Sequence, residues 1–136
     1  MRHHPPEFSK RVSSGTMVDM LKTTIDLSAI AHNVRLIKEK VGQEVKLMCV
    51  VKADAYGHGA AKVVPVMARA GADCFGVATL REAVNLRRAG VDAPIVAWIW
   101  QTDEILEEAL ASGIEVAVNS LEQAHKLVKA DFPAEV

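Results

Sequence analysis

Four short apolar runs limit what this chain can fold into. They cover residues 47–51, 74–78, 95–100 and 114–118, and their starts lie 27, 21 and 19 residues apart. That spacing leaves room for one helix between strands, the rhythm of right-handed βα units on a parallel sheet. The first run, Leu47-Met48-Cys49-Val50-Val51, is apolar throughout, as a strand covered on both faces is. Helical patterns follow the other three over 79–89, about 103–112 and 120–130, the first two ended by Gly90 and Gly113. Upstream, Leu27, Ile30, Val34, Ile37 and Val41 recur at spacings of three and four, one apolar helix face. Asp26 or Ser28 caps its start, and Gly42 ends it. Residues 60–70 form the helix after the first strand, but Pro65 lies inside it. Either that helix begins near Val64 or it is kinked at the proline.

Two of these strand-to-helix junctions echo each other. Val77-Ala78-Thr79-Leu80-Arg81-Glu82-Ala83 parallels Val118-Asn119-Ser120-Leu121-Glu122-Gln123-Ala124. Each places Thr or Ser three residues before Glu or Gln, which predicts a capping box at both helix starts. Four βα units make either a small doubly wound sheet or half of a (β/α)8 barrel. A whole barrel takes about 250 residues, and the chain has 136. Residues 131–136 leave a helix and read as the beginning of a fifth strand. Residues 1–22 carry Pro5-Pro6, lack apolar periodicity and read as a mobile N-terminal extension ahead of a domain over 23–136; Met17 and Met20 are alternative translation starts. With no apolar h-region, the extension is not a secretory signal.

A net charge of -1 provides no electrostatic basis for binding nucleic acid or an anionic membrane, and aromatic residues, at 4%, are too scarce for base-stacking platforms. No apolar stretch approaches the ~20 residues of a membrane helix. Cys49 and Cys74, without a CxxC pattern, read as reduced core thiols of a cytoplasmic protein. His32 and His125 have no partners at metal-ligand spacing, so no metal is assigned. Arg81, Arg87 and Arg88 read as a solvated helix face, as do Glu104, Glu107 and Glu108. Trp98 and Trp100 read as core or pocket wall.

The chemistry concentrates at Lys52. It closes the first strand, on the same face as Met48 and Val50, and ligand sites of parallel sheets lie at C-terminal strand ends. An amine held over an apolar layer loses hydration, which favours its neutral form and makes it a nucleophile toward aldehydes. The alternative is a lysine that only extends into water. Gly57 and Gly59 permit positive φ and a close approach of backbone to a ligand. Tyr56 brings a flat ring and a hydroxyl near the lysine. His58 is either a base or a hydrogen-bond partner within the loop, and its glycine flanks favour the latter. Neither a dinucleotide-binding fingerprint nor a Walker loop is present.

From Val50 to Gly59 the residues VVKADAYGHG resemble the cofactor-attachment motif of the alanine racemase family. Thr24-Ile25-Asp26-Leu27 with His32-Asn33, and Phe75-Gly76-Val77-Ala78 with Glu82-Ala83, extend the resemblance over 23–136. Asp54 stands where many members have Asn. The resemblance implies an α/β fold, the N-terminal part (about half) of a (β/α)8 TIM-type barrel. It also implies a pyridoxal 5'-phosphate-dependent isomerase that interconverts L- and D-alanine, supplying D-alanine for peptidoglycan, as a homodimer at full length. Lys52 would hold the cofactor through a Schiff base and act as acid/base on the D-enantiomer's face of Cα, and Tyr56 would line the cofactor pocket. The family's second base is a tyrosine from the C-terminal domain of the partner subunit, beyond this stretch, so the 136 residues alone are expected to be inactive. The alternatives are a racemase for serine or a broader range, or a non-catalytic pyridoxal-phosphate-binding protein.

Overall fold

The computed structural model describes residues 23–102 and 105–130. The extension over 1–22, the strand start at 131–136 and the first residues of the 103–112 helix lie outside the described residues. The elements follow in the order α1 (Leu27–Val41), β1 (Met48–Val50), α2 (Lys52–Gly57), α3 (Ala60–Arg69), β2 (Cys74–Val77), α4 (Leu80–Arg88), β3 (Ile95–Ala97), α5 (Leu106–Ala111), β4 (Glu115–Val116) and α6 (Leu121–Lys129).

Local chemistry starts the helices where the sequence places them. Asp26, rather than Ser28, caps α1: its Oδ1 accepts the Ser28 and Ala29 N–H groups at 2.9 and 3.1 Å. The Ser28 hydroxyl, donating to the same oxygen at 2.6 Å, and then these two N–H groups hold the Asp26 carboxyl below its ordinary pKa. Thr79 and Glu82 form the expected reciprocal capping box on α4. At α6 the box is only half made. Ser120 accepts the Gln123 N–H at 3.2 Å, but Gln123 Oε1 takes the N–H of Asn119, one residue early, at 2.6 Å. Helix α3 begins at Ala60, four residues before Val64, and runs through Pro65. Its start is set from a distance, by Asp54 Oδ1 accepting the Ala60 N–H at 2.7 Å.

The four strands lie in the order β1-β2-β3-β4, all parallel. A doubly wound sheet reverses its strand order at a switch point and carries helices on both faces. Here the order never reverses. Val51, Phe75, Val77, Ile95 and Ala97 are buried in one core with Val63, Val64, Leu80, Val84 and Leu106 from the helices. On the opposite face Met48 and Val50 are 40% and 45% exposed. One covered face and one open face on a sequential sheet is an arc of a (β/α)8 barrel, seen from its inside. Gly76 belongs to that inner face. The Trp98 ring edge lies where a Cβ on residue 76 would stand, so glycine is what lets the indole approach the sheet this closely. Cys49 packs into the helix side and Cys74 falls on the inner face, and both are free thiols. Burial raises the pKa of both thiols. Trp100 is core, its indole N–H donating to Ala117 O at 2.8 Å.

Further expectations need correction: the fourth strand, read over 114–118, spans only Glu115–Val116. The third strand ends at Ala97 instead of running to Trp100, although Ile99 N–H still donates to Ala78 O at 2.7 Å. Arg87 is not part of a solvated face. Its guanidinium turns under the sheet and donates to Val91 O, Ala93 O, Ser112 O and Gly113 O at 2.6, 2.6, 2.9 and 3.1 Å. Five fixed donors on one planar group suit a cluster of carbonyls that strand-leading turns leave unpaired. Arg88 does lie on the surface, paired with Glu108. A second cation serves the same end of the sheet: Lys38, 7% exposed, donates to Val45 O at 2.8 Å and to Asp73 Oδ2 at 2.7 Å.

Candidate functional site

Strand pairing runs one residue past β1, where Val51 N–H donates to Gly76 O at 2.8 Å, and Lys52 follows directly. The lysine thus stands at the C-terminal end of the strand, half-buried, beyond the exposed inner-face pair Met48 and Val50. Its Nζ lies 6.0 Å from the centroid of the Tyr56 ring, at the outer reach of a cation–π contact. Tyr56 is 65% exposed, whereas Lys52 is partly covered. The structure therefore brings Lys52 and Tyr56 together.

The turn that joins them is unusual. Ala53, Asp54, Ala55 and Tyr56 all have φ between 52° and 55° and ψ between 39° and 47°, one turn of left-handed helix built without glycine. Each such residue costs about 1–2 kcal/mol, so the turn stores roughly 4–8 kcal/mol and persists only because its surroundings hold it. Those holds are visible. Ala55 is buried in the core, and its N–H donates to Val51 O at 2.8 Å. Gly57 and Gly59, both at φ 84°, let the chain leave the turn, and Gly59 N–H returns to Asp54 O at 3.0 Å. The Asp54 carboxylate ties the turn to the start of α3 through Ala60. His58 Nδ1 lies 2.8 Å from Ala55 O; a carbonyl only accepts, so Nδ1 carries the proton there. His58 is the loop's own hydrogen-bond partner, the role its glycine flanks favoured.

The remaining hold comes from outside the loop. Glu82, on the first turn of α4, accepts the Ala78 and Thr79 N–H groups with Oε2 at 2.9 and 3.1 Å and the Ala53 N–H with Oε1 at 2.7 Å. Sequence reasoning finds the capping half of this contact and misses the other half. The reach across strands depends on a left-handed turn that Ala-Asp-Ala-Tyr does not signal. The pairing of β1 with β2 could have suggested it, since adjacent strand ends bring their loops together.

Similarity to known proteins fits this geometry. The sequence profile of the family described as "Alanine racemase, N-terminal domain" matches residues 25–135. Over 113 residues, 83% of this chain, the alanine racemase of Corynebacterium efficiens is 52% identical, and the match spans 30% of that protein. That of Mycolicibacterium smegmatis is 46% identical over 109 residues, 80% of this chain and 28% of the relative. The crystal structure of alanine racemase from Corynebacterium glutamicum superposes with a TM-score of 0.76 at 48% identity, covering 79% of this chain and 32% of that one. A Bacillus anthracis alanine racemase described with bound L-Ala-P superposes with a TM-score of 0.71 at 35% identity, covering 81% of this chain and 28% of that one. The chain thus spans about 30% of the length of these relatives.

Proposed function

Because the chain belongs to the alanine racemase N-terminal domain family, we propose that it supplies the cofactor-bearing part of an enzyme that interconverts L- and D-alanine. Residues 23–136 form the N-terminal part of its barrel domain and 1–22 an extension. The observation that carries this reading is the amine of Lys52 at the end of β1, 6.0 Å from the Tyr56 ring, above an open apolar face.

The residues fit the aldehyde end of pyridoxal 5'-phosphate. A primary amine is the group that captures an aldehyde, and an aromatic ring beside it gives a flat pyridine a surface to lie against. When bound, the cofactor serves as an electron sink that makes the alanine Cα–H acidic. Lys52 would be the covalent anchor of that group and would carry a proton on the D-enantiomer's face of Cα. Tyr56 orients the ring and limits water on that side. The other titratable groups of the loop, Asp54 and His58, each hold a backbone atom of the loop or of the helix that follows it. Inversion needs a carrier on each face of Cα, and this reading assigns the second to the enzyme outside this stretch, in a homodimer working in the cytoplasm toward cell-wall D-alanine.

The test is α-hydrogen exchange in D2O with pyridoxal phosphate present. The chain is expected to exchange the α-hydrogen of D-alanine with retention, faster than that of L-alanine, and Lys52→Ala is expected to abolish the preference. Equal exchange of both enantiomers, at the rate of free cofactor, would contradict the assignment.

A further inference from the structure

Resting on the reading of Lys52 as the cofactor anchor, we propose that Glu82 is its positioning residue: a carboxylate that clamps the peptide plane after Lys52 to the end of the neighbouring strand. Lys52 C=O and Ala53 N–H share one rigid peptide unit. Fixing the Ala53 N–H fixes ψ of Lys52 and with it the direction in which the side chain leaves the strand. That N–H also opens the left-handed turn, and the first N–H groups of any helical turn lack partners within it. Glu82 Oε1 supplies the partner at 2.7 Å. The carboxylate is itself immobilised, because Oε2 accepts the backbone N–H groups of Ala78 and Thr79, which do not depend on the Thr79 side chain.

The equivalent junction after β4 shows that this is more than capping. Gln123 takes the Asn119 N–H with Oε1, and its amide Nε2 donates to Trp100 O at 2.6 Å. At both junctions the side chain caps its own helix and reaches the segment after the preceding strand. Where that segment offers a carbonyl, an amide stands; where it offers an N–H, a carboxylate stands. A glutamine at position 82 has one acceptor oxygen, and because two N–H groups wait at the cap and one at Ala53, that oxygen stays with the cap and leaves the Ala53 N–H facing the NH2 end.

The experiment compares Glu82→Gln with Thr79→Ala in the 136-residue chain. Thr79→Ala weakens the same helix start without touching Ala53. Two readouts are taken: amide exchange at Ala53 by NMR, and the selectivity of borohydride-fixed pyridoxal phosphate for Lys52 over other lysines. Losing a hydrogen bond to a charged group corresponds to about tenfold to a hundredfold. Glu82→Gln is expected to speed Ala53 exchange and to lower Lys52 selectivity by about that range, while Thr79→Ala leaves both within about twofold. Should Glu82→Gln not fold, Glu82→Asp, which keeps the charge but loses the reach, is expected to do the same. Unchanged Ala53 exchange in Glu82→Gln, or an equal loss in Thr79→Ala, would overturn the proposal. If the unmodified chain labels its lysines without preference, the cofactor reading fails instead, and the Ala53 exchange still decides whether Glu82 positions the turn.

Discussion

The two ends of the sheet are fastened in pairs, with opposite chemistry. At the N-terminal ends of the strands the fasteners are cations reaching for carbonyls: Lys38 with Asp73 joins the approaches to β1 and β2, and Arg87 joins those to β3 and β4. At the C-terminal ends they are a carboxylate and an amide reaching into the exit loops: Glu82 spans β1 and β2, and Gln123 spans β3 and β4. The approach turns leave carbonyls unpaired, so permanent donors suit them. The exit loops differ from one another, so the side chain at the third position of each helix matches its neighbour's exposed backbone group. One end is built to hold. The other holds while fixing the direction of particular side chains, and Lys52 is on that end. Barrel enzymes divide labour along the same axis, chemistry at the C-terminal face and stability at the N-terminal one.

The largest effect is expected where one side chain serves most groups. Arg87→Met leaves four carbonyls without their donor and should cost about 3–5 kcal/mol in denaturant unfolding. Per folded molecule, Lys52 labelling should not change; a loss of Lys52 selectivity at matched stability would break the division between the two ends. Next, Gln123→Glu places a carboxylate against Trp100 O in a site only 8% exposed and should cost about 2 kcal/mol at neutral pH. The introduced carboxyl is protonated more readily in the folded state, where it can donate to that carbonyl. Its folded pKa therefore lies above the unfolded value of about 4.3, and the variant should regain stability as pH falls toward that value. A deficit independent of pH would contradict the matching of amide to carbonyl.

The smallest effect at neutral pH is expected for Asp73→Asn, because the amide oxygen still accepts the Leu47 N–H and Lys38 keeps Val45 O. The change should appear in acid. The Leu47 N–H and then the Lys38 ammonium hold the Asp73 carboxyl below its ordinary pKa. Its stabilisation is thus full above the unfolded value of about 3.9 and is lost as pH falls through the lower folded value. The gap between Asp73→Asn and the parent should close across that acid window. A gap that persists there would show that shape, not charge, makes this fastener.

Much of this was readable from residues alone, because the physics was local. Asp26, Thr79 and Ser120 mark helix starts through bonds spanning two or three residues. The strand rhythm places Lys52 at a strand end, and the VVKADAYGHG stretch carries the family. The rest was written in contacts between distant segments. Nothing in Ala53-Asp54-Ala55-Tyr56 signals four positive φ angles; the turn exists because Glu82, Asp54 and the burial of Ala55 impose it. Arg87 looks like one of three surface arginines until the turns before β3 and β4 bring four carbonyls under it. The open inner face, where Trp98 lies on Gly76, follows from sheet order and from no single motif.

Whether the end of β1 builds an amine site is decided by incubating the chain with pyridoxal phosphate, reducing with borohydride, digesting, and weighing the peptides. Label is expected to concentrate on Lys52, well above Lys62 and the other lysines, and to be lost when Tyr56→Ala and Glu82→Gln are combined. Label scattered in proportion to exposure would mean that Lys52 is an ordinary strand-end lysine, and that the left-handed turn beside it shapes no site.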